Sequence, residues 1–148
     1  MNISDILTPE RTLADLDCAS KKRTLESISR WLGSQMDTFN HKEVFNALIA
    51  REKLGSTGFG DGIAIPHCRL ASCTQVTGVL VRLVNPIDFD AIDQQPVDLL
   101  FVLLVPQEAT DEHLQILATL AGSFGQPEFR EGLRNAADAN SMYQFAIA

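Results

Sequence analysis

The densest chemistry in the chain lies at residues 51–69, which read Arg-Glu-Lys-Leu-Gly-Ser-Thr-Gly-Phe-Gly-Asp-Gly-Ile-Ala-Ile-Pro-His-Cys-Arg. Four glycines fall within residues 55–62, and they open backbone shapes closed to other residues. A loop of this kind can turn several N–H groups toward an anion, and its small side chains let a phosphate come close. Gly55, Ser56, Thr57 and Gly58 are the candidates for that contact. A plain structural turn accounts for the same glycines. Nucleotide binding is not supported, because no Gly-Lys-Ser/Thr closes the loop and no strand–loop–helix order surrounds it.

His67 ends the short strand expected at Ile63-Ala64-Ile65, directly after Pro66. Proline fixes its own φ and stiffens the approach to the imidazole. A neutral imidazole is a good nucleophile near pH 7, with one ring nitrogen attacking while the other is held by a hydrogen bond. The alternative is a histidine merely satisfied at a strand terminus. His113 falls in the first turn of the helix expected after the apolar run 97–105, where positive potential disfavours imidazolium. It suits a hydrogen-bond donor to phosphate, or equally an ordinary surface histidine. Arg51, four residues before Gly55, can reach a phosphate at the loop or only neutralise its helix C-terminus. Asp61 and Asp98 are possible partners for histidines or arginines. Cys68 and Cys73 have no common zinc-ligand spacing, and three cysteines in all make no disulfide framework.

Elements must place these groups. Thr12–Leu16 alternates and reads as a short strand. Ser20 caps a helix to about Met36, with Leu25, Ile28, Trp31 and Leu32 on one face. Asn40 caps the next, with Glu43 completing a variant capping box and Gly55 as the stop. Gln75–Val84 is a strand ended by a turn at Asn85-Pro86. Val97–Val105 is apolar apart from Asp98, as a central strand buried on both faces would be. Thr110 caps the following helix, whose Leu114, Leu117, Ala118 and Ala121 face the core. Pro127 opens another helix and Asn140 caps a last one. Strands and helices interleave over residues 1–148 without repeat or linker, the pattern of one α/β domain.

Composition narrows the classes. Of 148 residues, 12 are basic and 19 acidic, a net charge of −7 that argues against non-specific nucleic-acid binding. The one basic run, Lys21-Lys22-Arg23, reads as a solvated helix face. No apolar stretch approaches a membrane span and no secretory leader opens the chain, so the cytoplasm is the expected location.

The segment Arg51–Gly58, followed by Gly62-Ile63-Ala64-Ile65-Pro66-His67, closely resembles the active-site region of the fructose–mannitol class of enzyme IIA proteins of the bacterial phosphotransferase system. The likeness continues through Pro86–Asp93, Gln95–Phe101, Leu103–Pro106 and His113-Leu114. With Ser20-Lys21-Lys22-Arg23 it is most similar to the nitrogen-regulatory branch. The resemblance implies a three-layer α/β/α domain with a mixed sheet. It implies that His67 is a phosphohistidine linked through the nitrogen remote from the backbone, that His113 is a second active-site histidine and that Arg51 lies nearby. It further implies an HPr-like phosphoryl donor, called NPr in this branch, with no cofactor or metal, and regulatory targets linked to potassium or nitrogen metabolism. A sugar-specific enzyme IIA, passing the group on to an enzyme IIB, is the other reading. Phe59 and Cys68 depart from the pattern, where a smaller aliphatic residue and glycine are common.

Overall fold

A computed structural model describes residues 1–109 and 111–148, with only the backbone of Glu112 and His113. The expected cap at Thr110 therefore lies outside the described residues. The central strand β6 (Val97–Pro106) pairs antiparallel with β5 (Thr77–Ile87) on one side. On its other side lie, in parallel and one after the other, β3 (Ile63–Ala64) and β4 (His67–Leu70). β1 (Thr12–Leu16) pairs parallel with the outer side of β5, and β2 (Gly58–Gly60) pairs antiparallel with β3. The sheet is mixed.

From Leu99 onward β6 sends alternate side chains to opposite faces, as a pleated strand must. Leu100, Val102 and Leu104 meet helices α2 (Lys21–Gln35) and α3 (His41–Lys53) through Leu25, Ile28, Leu32, Val44 and Leu48. Leu99, Phe101, Leu103 and Val105 meet α1 (Ile3–Ile6), α4 (Asp111–Phe124), α5 (Pro127–Asn135) and α6 (Ala139–Ile147). Two cores on two faces make the expected α/β/α sandwich. No helix among the described residues is long and apolar enough to cross a membrane.

Ser20 accepts from the Arg23 N–H, and Asn40 accepts from the N–H groups of Lys42 and Glu43, so both expected caps form. Several details differ from expectation. The Glu43 carboxylate accepts from the Ser72 hydroxyl at 3.0 Å, which pins α3 to the segment after β4. Asn85-Pro86 does not turn the chain. β5 continues to Ile87, and Pro86 sits where the register with β6 shifts between Arg82 and Ile87, a place where a missing N–H costs no ladder bond. Asp138, not Asn140, caps α6, accepting from the Ser141 N–H at 2.8 Å. On α4 the buried residues are Ile116, Leu120 and Phe124, with Leu117 partly covered, whereas Leu114, Ala118 and Ala121 are exposed. The buried stripe packs on β6, with Phe124 edge-on to Phe101, and lies against α1 and α5. The short α1 and a 3-10 turn at Pro9–Arg11 had no periodic signal.

Candidate active site

His67 does not end a strand. It begins β4, opposite Leu103 of β6. The two residues before it make the bend between β3 and β4, and the Leu103 N–H donates to the Pro66 carbonyl at 2.8 Å. The ring thus stands at a seam in the sheet, fixed from behind by the central strand. It is partly buried. Nδ1 lies 2.8 Å from the Ile65 carbonyl oxygen. A carbonyl can only accept, so Nδ1 carries the proton and the lone pair belongs to Nε2. The Arg51 Nε donates toward that Nε2 at 3.4 Å, a long contact. Burial is the largest influence on the imidazole and lowers its pKa from the usual 6.5. The Ile65 carbonyl and Glu52 oppose this, and Arg51 adds to it. The net direction is down, which leaves a neutral ring with a nucleophilic Nε2 at physiological pH.

Arg51 occupies the last turn of α3. Its Nη1 donates to the Gly55 carbonyl at 2.8 Å while Nε faces His67. The guanidinium thus closes the helix end, as one reading of this arginine expects, and also stands beside the imidazole. The two residues line a depression of about 500 Å³ with Ala47, Ala50, Leu54, Cys68 and Arg69. His113 lies in the first turn of α4, and its side chain is outside the described residues.

The loop Gly55–Gly58 behaves otherwise than the glycine count suggests. The Gly55 N–H donates to the Glu52 carbonyl, the Thr57 N–H to the Glu52 carboxylate, and the Gly58 N–H to the Ser56 hydroxyl. Ser56 in turn donates to the Phe89 carbonyl at 2.6 Å. These three N–H groups are thus taken up by the protein itself, and the loop forms a brace in place of an open anion cradle. The lower glycines serve a separate turn. Asp61 and Gly62 take positive φ of 59° and 80°, and Arg134 of α5 holds the Asp61 carbonyl and the Asp98 carboxylate. Arg130 lies 3.7 Å from the Asp61 carboxylate. Both aspartates thus pair with arginines of α5.

Glu52 escaped the sequence reading. It is buried, with its carboxylate 2.8 Å from the Lys21 Nζ and accepting from both the N–H and the hydroxyl of Thr57. A signal existed, because Val44, Leu48 and Glu52 fall at four-residue spacing on the buried face of α3. Lys21 likewise leaves the solvated run: Lys22 and Arg23 are exposed, while Lys21 turns inward over the Phe89 ring. Cys68 points into the core shared with α2 and α3, and burial pushes its thiol up to about 12. Among the described residues no three His, Cys, Asp or Glu side chains gather as metal ligands would.

The crystal structure of mannitol IIA from Escherichia coli shares the fold with a TM-score of 0.76 at 18% identity, over 95% of this chain and 98% of that one. Residues 5–147 match the family described as phosphoenolpyruvate-dependent sugar phosphotransferase system, EIIA 2, and the chain belongs to that family as a component of a phosphotransferase system. It is 47% identical to a nitrogen regulatory protein of Pseudomonas aeruginosa, over 99% of this chain and 96% of the relative. The nitrogen regulatory protein IIA-Ntr of Neisseria meningitidis superposes with a TM-score of 0.89 at 44% identity, over 97% of this chain and 98% of that one.

Proposed function

We propose that the chain is a cytoplasmic nitrogen-regulatory enzyme IIA whose His67 Nε2 takes a phosphoryl group from the phosphohistidine of an HPr-like donor, NPr. The observation that carries this is the pairing of Nδ1 with the Ile65 carbonyl at 2.8 Å, which presents Nε2 as the nucleophile. The near-full-length likeness to nitrogen regulatory proteins supports the branch. In the transfer, the Nε2 lone pair forms the new N–P bond while the donor's N–P bond breaks and its electron pair returns to the donor imidazole. The proton stays on Nδ1, donated in a hydrogen bond to the Ile65 carbonyl, whose dipole favours the positive charge arriving on the ring. Little covalent work falls to the protein, because position and charge dominate such transfers. Arg51 supplies positive charge beside the acceptor nitrogen, and His113 is the second histidine that steadies the phosphoryl oxygens. Gly55, Ser56, Thr57 and Gly58 act indirectly, by holding Arg51 and Ile65 in place.

The phosphoryl group would place nearly two negative charges at one point of an acidic protein, enough to change which partners bind. Regulatory targets linked to potassium or nitrogen metabolism would read that charge. Incubation with phosphorylated donor should give an acid-labile adduct that His67→Ala abolishes, and normal labelling of His67→Ala would overturn the assignment. Capture of partners on the native protein and on His67→Asp should give different sets. The family's sugar-transport description keeps a second reading open. On that reading the phosphoryl group passes quickly to an enzyme IIB, and failure of that transfer leaves regulation as the role.

A further inference from the structure

A continuous set of bonds runs from the start of α2 to the imidazole. The Lys21 Nζ lies 2.8 Å from the Glu52 carboxylate, and the Glu52 side chain is almost wholly buried. Lys21 is itself located by the Phe89 carbonyl at 3.5 Å, by the Phe89 ring at 4.8 Å and by Asp90 at 3.7 Å. Glu52 then accepts from the N–H and the hydroxyl of Thr57. The Thr57 carbonyl accepts from the Ile65 N–H at 3.0 Å. The carbonyl of that same Ile65 accepts from Nδ1 of His67.

Arg51 and Glu52 are neighbours in the last turn of α3 and take opposite ends of one short loop. Arg51 holds the Gly55 carbonyl, and Glu52 holds Thr57. Movement of Glu52 would therefore loosen two supports of His67 together, the guanidinium facing Nε2 and the carbonyl facing Nδ1. A carboxylate buried in this way is costly unless paired, and here it makes several bonds, each to a group that leads toward His67 or anchors the pair.

We infer that Glu52, fixed by its ion pair with Lys21, is a positioning residue for His67, acting through Thr57 and Ile65 to set the imidazole's orientation and its Nδ1–H tautomer. Glu52 acts on the ring through these bonds and through its charge, which favours the protonated imidazole, and takes no part in bond making. The inference rests on the phosphoryl-acceptor reading of His67 for its consequence, but not for its geometry.

The test uses the whole chain with 15N-labelled histidine. Long-range proton–nitrogen correlations on the unphosphorylated protein distinguish a protonated Nδ1 from a mixture of tautomers. Wild-type protein should show His67 with a protonated Nδ1. Glu52→Gln should show a tautomer mixture and a phosphoryl uptake rate lowered roughly tenfold or more, since small misplacements cost rates of that order. Lys21→Met should behave alike, and Lys21→Arg should restore both readouts. Should the unpaired ion prevent folding, the double variant Lys21→Met/Glu52→Leu removes both charges at once and leaves neither buried alone. A folded variant of either kind with wild-type tautomer and wild-type uptake overturns the inference. If His67→Ala still takes up label, the acceptor reading fails instead, and the tautomer measurement still decides the role of Glu52.

Discussion

At the residue scale the site depends on a depressed histidine pKa and an inert neighbouring thiol. The folded chain holds His67 below its ordinary 6.5, chiefly by burial, so it binds fewer protons there than the unfolded chain does. That contribution to stability is whole above about pH 6.5 and is lost as pH falls toward the folded-state value. An NMR titration should give a His67 midpoint under 6.5, with phosphoryl uptake flat near pH 8 and falling to half at that midpoint; a midpoint above 6.5 would refute the burial argument. Arg51→Gln removes a nearby cation and should move the midpoint upward. It should also slow uptake by about one to two orders of magnitude, the worth of a charge-assisted contact of roughly 1.5–3 kcal/mol. Cys68 follows His67 in sequence and borders the same depression, but it is buried in the core shared with α2 and α3, and its thiol is raised to about 12. Native-state alkylation near pH 8 should therefore modify the part-exposed Cys18 before Cys68 or Cys73, as peptide mass spectrometry can report. His67 and Arg51 were legible because each is a strong chemical type beside a strong backbone signal. Lys21 was not, because a charged residue that turns inward is indistinguishable by type from one that faces water, and Glu52 was legible only by its spacing with Val44 and Leu48.

At the element scale the readable features were periodic and the unreadable ones were decided by pairing. β6 announced itself through an apolar run interrupted only at Asp98, and α2 and α3 through capped stripes. The far end of β5 could not be read, because Asn-Pro is a turn signal locally and only the register shift against β6 lets Pro86 stay in the strand. Nor could β4, whose alternation of His67, Cys68, Arg69 and Leu70 is too short to stand out and which forms because β6 offers an edge beyond β3. The turn at Asp61-Gly62 shows how firmly one such junction is specified. A Cβ at Gly62 would lie 2.4 Å from the Arg134 Nη2 and 2.9 Å from the Asp98 carboxylate, at a φ of +80°. Gly62→Ala must displace the arginine that joins α5 to β6 as well as strain the backbone. We expect a loss of about 2–4 kcal/mol. Thermal unfolding should show it as a fall of roughly 6–12 °C. Gly122→Ala is the control: it lies within α4 with no neighbour inside 4 Å of the new Cβ, and should leave stability unchanged or raise it by up to about 1 kcal/mol.

At the scale of the whole molecule, β6 is shared between two cores and also backs His67 through Leu103. A group added to Nε2 meets a ring whose other nitrogen, backbone and strand partner are already fixed. The parts able to respond are those around the site: the end of α3, residues 55–58, the Ile65–Cys68 bend, the Lys21–Phe89 contact and, with His113 in the proposed role, the first turn of α4. The opposite layer is tied down separately. Arg82 reaches from β5 to the Leu133 and Ala136 carbonyls at the end of α5, and Arg134 returns from α5 to Asp98 of β6. Close-packed cores of this kind do not deform gradually, so a local charge has no soft route through the sheet. Phosphorylation should therefore signal by changing the electrostatics and shape of one face, without a rearrangement of the sandwich. Amide shift mapping of the phosphorylated against the free protein should place the large changes in those segments. Residues of α5 and α6 should stay within the scatter of unperturbed sites. Changes of equal size across α5 and α6 would instead show that the two layers move together, and the partner surface would then have to be sought on both faces of the sheet.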